Sequence, residues 1–416
     1  MSDASEDFKF SLKVMIDKKK NKVIFAESDS NFVDILLSFL TLPLGRIIKI
    51  LDKHYGDEAA AIGSLSSLYR SAADLACSHF WTEGAKKALL NPTSSFEDEI
   101  KGLKLDFADS PPAEYFRCSK CPLTLSGKGA DKRCKIASGG VFTKLKASFI
   151  ISDDLRILPN DKAYSTTIDF LGITDADKAE AIEVDFGFSE IMKLLKASLT
   201  SPTPLSDVVL NQTTQTDYAA MASQQLLATE ENPNCRFLYA QATNDFVEFL
   251  FSFLNIPLGG VEHLFHRSTH VKSIDKLYLS TSYLIEDEHF KSSDTKNRLI
   301  KPNVVYDCIP KNHILPLTQA PSPNFSWLCT HKFPNGHGSY VEGPRTYHVK
   351  DDLTVSPFCF VSVLSSLVEQ NVPVRDVEEL EVHIGLKEAC GLLKASLTST
   401  AAITDALLNF GDGVNK

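Results

Sequence analysis

Apolar and polar positions along the chain mark out a few elements before any motif is considered. Leu12–Ile16 and Lys22–Ala26 are short apolar-rich runs around the polar stretch Asp17–Asn21, a pattern that predicts two strands joined by a hairpin turn. Asn31 and Asp34 then stand at capping-box spacing and predict a helix start. Phe32, Val33, Ile35, Leu36, Leu37, Phe39 and Leu40 leave that helix without a polar face, so it is expected inside the protein. Pro43–Gly45 ends it. Further on, Ile191, Leu194, Leu195, Ser198 and Leu199 recur at helical spacing, with Lys193 and Lys196 on the other face.

The same pattern then comes round again. Without gaps, ten of the 29 positions of Val23–Leu51 are identical in Phe237–Phe265, including the second copy's own Pro257–Gly259 stop. Asp245 and Glu248 repeat the spacing of Asn31 and Asp34. Gly187–Asn211 matches Gly385–Asn409 around the shared block LLKASLTS. Between these, FIISDDL at 149–155 aligns with YHVKDDL at 347–353, each followed by a proline, Pro159 or Pro357. Three blocks in one order imply an internal duplication, with the joint in the polar run Gln212–Gln225. The expectation is an α+β protein of two tandem homologous units, 1–212 and 213–416, each a short hairpin or sheet packed with helices.

The blocks LKVMIDKKKNKVIFAE, FVDILLSFLTLPLG, SLYRSAADL, FIISDDLRILPN and LLKASLTSPTPLSDVVLN also carry a resemblance. They are similar to the signatures of a plant-specific family known as domain of unknown function 674, over essentially the whole chain. The resemblance implies a plant source and the same duplicated architecture, and it brings no activity, cofactor or catalytic residue with it. Members similar to this chain carry cysteine pairs in the middle of the first unit, a feature only partly present here.

Composition narrows the function classes. The 416 residues carry 43 basic and 53 acidic side chains, a net charge of −10, so a duplex nucleic-acid binder is not the default reading. The most apolar stretches, Phe32–Leu44 and Phe246–Leu258, contain Asp34 or Glu248 and fall short of a membrane span. The acidic start of the chain lacks the apolar core of a signal peptide, and nine unevenly spaced cysteines do not form a secreted disulfide framework. A cytosolic or nuclear location is expected, with the sequons at Asn211 and Asn324 unused.

Candidate chemistry gathers in the divergent middles. Cys118 and Cys121 form a Cys-x-x-Cys pair with Cys134 beyond, three of the four thiolates of a zinc knuckle. A fourth ligand would come from Asp131, water, Cys77 or His79, and free thiols in a loop are the alternative. The surrounding loop, 114–146, is locally basic through Arg117, Lys120, Lys128, Lys132, Arg133, Lys135, Lys144 and Lys146, a pattern suited to phosphate contacts or simply to solvent. In the second unit Cys329, His331 and His337 share a loop, and His263, His266 and His270 fall on one helical period. The paired carboxylates Asp153–Asp154 and Asp351–Asp352 recur in both units, as expected of a turn or cap rather than of an acid–base pair. Signatures of nucleotide-binding loops, serine hydrolases and zinc proteases are missing. The leading expectation is a non-catalytic protein that binds a protein or a small molecule. The others are a zinc-stabilised module at Cys118, Cys121 and Cys134 with phosphate or nucleic-acid contacts, and an enzyme with a cleft between the units.

Overall fold

The computed structural model describes residues 8–56, 61–108, 141–144, 147–160, 167–168, 171, 179–210, 237–284, 286–305, 309, 313–320, 340–369, 372–373, 375 and 377–408. In the first half, β1 (Phe10–Asp17) and β2 (Lys22–Asp29) form the expected antiparallel hairpin. Asp17 shapes the turn by accepting the Lys19 and Lys20 N–H groups at 2.9 and 3.0 Å. Alternation in β1 sends Phe10, Leu12, Val14 and Ile16 to the buried face. Helix α1 (Ser30–Phe39) is buried along its length, as its missing polar face requires. Its cap differs from the expectation: Asp29, one residue outside the helix, accepts Phe32 N–H at 3.0 Å. Asp34 is thereby left for another task. The half continues with α2 (Leu44–Tyr55), α3 (Leu65–Asp74), α4 (Glu83–Leu90), α5 (Glu97–Ile100), β3 (Ser148–Ser152), β4 (Ile157–Pro159), β5 (Ala179–Phe186), α6 (Phe188–Thr200) and α7 (Pro204–Val209). Its sheet is antiparallel, ordered β4-β3-β2-β1-β5.

The second half repeats β2, β3 and β4 of this plan down to strand register. It comprises β6 (Ala240–Thr243), α8 (Asn244–Ser252), α9 (Leu258–Leu264), α10 (Lys272–Tyr283), α11 (Glu286–His289), α12 (Ser293–Ile300), β7 (Thr346–Val349), β8 (Val355–Pro357), α13 (Phe360–Glu369) and α14 (Leu386–Thr398). The pairings Ala26↔Ile151 and Ser28↔Phe149 recur as Ala240↔Val349 and Ala242↔Tyr347. Phe149↔Pro159 and Ile151↔Ile157 recur as Tyr347↔Pro357 and Val349↔Val355. Even the left-handed leucine of the DDL turn is duplicated, Leu155 at φ 64° and Leu353 at φ 60°. The chain is therefore α+β and built of tandem units, with sheets of five and three strands among the described residues.

One helix of each half packs against the sheet of the other. Helix α3 packs on β8 and α8, while α10 packs on β4, α1 and α6. The hydrogen bonds across this exchange are reciprocal. Ser71 Oγ accepts Val355 N–H at 2.9 Å, and Ser280 Oγ accepts Ile157 N–H at 2.9 Å. Ser64 donates to Ser399 O and Ser273 to Ser201 O, both at 2.7 Å. Trp81 N–H reaches Tyr340 O as Lys291 N–H reaches Phe142 O, each at 3.0 Å. Such reciprocity is that of an approximate two-fold axis, which passes the bridge between Pro43 and Pro257. There Leu44 N–H donates to Ile256 O and Leu258 N–H to Leu42 O, both at 3.0 Å. Close approach requires Gly259: a Cβ would lie 3.0 Å from Leu40 O and 2.9 Å from Pro302 Cγ. One hydrophobic core runs through both halves.

Candidate functional site

The duplication supplies an internal control: chemistry found in both halves serves the fold, and chemistry found in one half is a candidate for function. Buried carboxylates divide cleanly on this test. Asp34 accepts Thr143 N–H and Oγ1–H, both at 2.8 Å, and also Val141 N–H. Its counterpart Glu248 accepts Tyr340 and Val341 N–H, both at 2.7 Å. Burial pushes the Asp34 pKa up to about 6 and that of Glu248 to about 7, against the pull of these donors. Asp153 accepts Ser206 N–H at 2.8 Å and its hydroxyl at 2.9 Å, while Asp351 accepts Thr404 N–H at 2.8 Å and its hydroxyl at 2.7 Å. Asp154 binds Arg156 Nε at 2.9 Å, and Asp352 binds Thr354 N–H at 3.0 Å, each closing its own turn. Each repeated carboxylate holds chain together.

Glu262 is different. The equivalent first-half residue is Ile48, apolar and buried, yet Glu262 on α9 is fully buried as well. Its Oε1 lies 2.7 Å from Thr269 Oγ1, which is also 2.8 Å from Asp275 Oδ1 and 3.3 Å from the Val271 nitrogen that donates to it. A hydroxyl has one proton and cannot donate to two carboxylates, so one carboxyl must carry a proton of its own. Burial, followed by the nearby Asp275 charge, pushes the Glu262 pKa up to about 9, which assigns that proton to Glu262. Glu262 Oε2 has no hydrogen-bond partner.

The loop over this acid is strained. His266, Arg267 and His270 have φ of 51°, 70° and 71°, left-handed values that non-glycine residues adopt at a cost on the order of 1 kcal/mol each. His270 Nε2 lies 3.1 Å from Lys394 Nζ. Burial is the main cause that lowers the pKa of both groups. Glu262, Thr269 and Asp275 thus form one hydrogen-bonded line, and the Asp275 charge also acts on His270 and Lys394. In the first half the same places hold Ile48 and Ser66, and Lys196 lies over the Tyr55 ring at 4.5 Å.

A second feature is apolar. Among the described residues, seven of the nine exposed large hydrophobic side chains fall between 360 and 386: Phe360, Val361, Leu364, Val368, Leu380, Val382 and Leu386. Helix α13 buries Val363 and Leu367 yet leaves Val361 70% and Val368 75% exposed. The first-half residues equivalent to 360, 361 and 364 are Lys162, Ala163 and Thr166, while those equivalent to 368, 380, 382 and 386 are the apolar Phe170, Ile182, Val184 and Phe188.

The recurrent blocks point to a single family across the chain, and comparison agrees. The family model described as protein of unknown function (DUF674) matches residues 6–138, 122–336 and 331–415. The chain belongs to the DUF674 family. No curated protein and no solved structure matches it. In this DUF674 chain, Cys118, Cys121, Cys134, Asp131, Cys329, His331 and His337 lie outside the described residues. Among the described residues, no three His, Cys, Asp or Glu side chains are placed to hold a metal ion, and no helix is long and apolar enough to cross a membrane. His79 is engaged elsewhere, with Nδ1 3.3 Å from the Tyr347 hydroxyl. His263, His266 and His270 do not share a helical face, because α9 ends at Leu264 and the last two enter the strained loop. Sequence reasoning overlooked Glu262 as a centre, although the Ile48-to-Glu262 change stood within an aligned block.

Proposed function

We propose that this DUF674 chain is a non-catalytic binding protein built from a duplicated domain, and that the apolar stripe of α13 and the residues after it is its partner surface. The carrying observation is the concentration, among the described residues, of exposed hydrophobic side chains at 360–386. Isolated exposed apolar residues are ordinary, whereas a contiguous set on one helix face costs free energy in water until another surface covers it. The commitment of the repeated carboxylates to backbone donors supports the same reading.

A photo-crosslinking residue at position 361 tests it in the full chain. Capture of a second polypeptide, abolished by Phe360→Ser with Val368→Ser while the thermal midpoint holds, is the expected result. Crosslinks confined to the same chain would refute the surface. Turnover in a substrate screen, lost on a single acidic substitution, would replace binding with catalysis.

A further inference from the structure

The two halves treat the segment before their last long helix differently. In the first half it is β5, which lies at the sheet edge and pairs with β1 along its whole length, from Asp17↔Ala179 to Phe10↔Phe186. It enters α6 through Gly187, whose N–H donates to Glu190 Oε2 at 3.1 Å. Residues 377–384 are its counterpart, since they enter α14 through Gly385, whose N–H donates to Glu388 Oε2 at 3.0 Å. This second copy runs without helix, turn or ladder, and residues 378–383 are all exposed. Ile182 and Val184, opposite Val14 and Leu12, are half-buried against the core. Their counterparts Leu380 and Val382 are 44% and 45% exposed. Ile384 packs on the core and holds one end in place.

A straight, exposed segment outside any ladder offers its backbone N–H and C=O groups to a chain that lies alongside. Alternation puts Leu380, Val382 and Ile384 on one face, and Glu379 and Glu381 on the other. In the first half β1 answers such acids with bases: Lys13 stands opposite Glu183, the counterpart of Glu381, and Lys18 pairs with Glu180, the counterpart of Glu378. Among the described residues, no base pairs with Glu378, Glu379 or Glu381. At the spacing of the aligned block, the copy of β1 is 224–231, which lies outside the described residues. Its sequence has Gln224 and Glu230 where Phe10 and Ile16 enter the core, and Leu227 where Lys13 meets the acid. The alternation and charge that suit β5 have left it. We infer that residues 377–384 bind a partner polypeptide as an added β-strand, one with apolar residues at alternate positions and a basic residue between them to meet Glu379 and Glu381. This contact rests on the reading of 360–386 as a partner surface and specifies how the partner lies there.

A synthetic peptide with the sequence Lys9–Asp17, which has that pattern, is the probe in hydrogen exchange on the full chain. Saturable slowing of exchange at 378–383 is expected. N-methylation of alternate peptide amides, made in both phases, should weaken binding about tenfold in one phase, through lost backbone hydrogen bonds. A Lys13→Glu peptide should bind several-fold more weakly, and Glu381→Lys in the protein should restore it. Amides at 378–383 that are already protected in the free chain would overturn the proposal. So would peptide binding that leaves them exchanging freely, or no saturable binding. Capture at position 361 without protection at 378–383 would remove strand pairing and keep the α13 surface, and protection without capture would do the reverse.

Discussion

Glu262 is protonated in the folded protein and would ionise at an ordinary carboxylate pKa once unfolded. Between about pH 4.5 and 9 the unfolded chain therefore binds fewer protons at this residue, and its contribution to stability is lost as pH rises through that window. Glu262→Ile, which installs the residue found at position 48, removes the dependence. Urea unfolding at pH 8 should show the variant more stable by on the order of 3 kcal/mol, with little difference near pH 4. A variant no more stable at pH 8 would mean that Glu262 is already satisfied there. Asp34 behaves in the opposite way on substitution. Asp34→Ala strands the Val141 and Thr143 donors in the interior, and thermal or urea unfolding should register a loss of about 3–5 kcal/mol. At this scale the sequence misleads for a plain reason. Asp34 sits where a capping acid would, and its actual partners are more than a hundred residues away, beyond any local pattern.

Elements set by local rules were legible. The hairpin follows from apolar runs around Asp17–Asn21, α1 from its continuous apolar surface, and the DDL turn from its recurrence. The helices of the middle were read only as a variable region, yet α3 and α10 share a pattern: Ser64, Leu65, Leu68, Tyr69 and Ser71 correspond to Ser273, Ile274, Leu277, Tyr278 and Ser280. Their spacing of 209 differs from the 214 and 198 of the flanking blocks, so ungapped matching passes over them. No periodicity reveals that each helix packs on the opposite sheet, because the choice of partner is a long-range one. Ser71→Ala and Ser280→Ala test that packing, since each leaves a strand N–H of the other half without its acceptor. Each should cost about 1–3 kcal/mol in urea unfolding, and the two losses should add. Loss at one site only would indicate that the exchange is not reciprocal.

For the molecule as a whole, crossed packing and a shared core imply that neither half is complete alone. A protease site placed within residues 212–236 and cut after folding should leave both pieces in one particle by gel filtration, with one cooperative thermal transition. Pieces that separate without denaturant would contradict the crossed packing. The candidate site depended on this scale as well. Cysteine spacing drew attention to 118–134, while the Ile48-to-Glu262 difference becomes informative only once both halves are seen to occupy equivalent places around an axis.

The Pro43–Pro257 bridge, two copies of one segment lying antiparallel, has a further meaning. A relative with a single unit could form that bridge only by meeting another molecule, so its melting temperature should climb with protein concentration. Joined in one polypeptide, the partners face each other at an effective concentration set within the molecule, and dilution no longer separates them. Fusion also ends the rule that both sides of the axis change together. A mutation in a self-pairing chain appears twice and must be tolerated twice, whereas here it appears once, which leaves one copy to keep the frame and the other free to acquire Glu262.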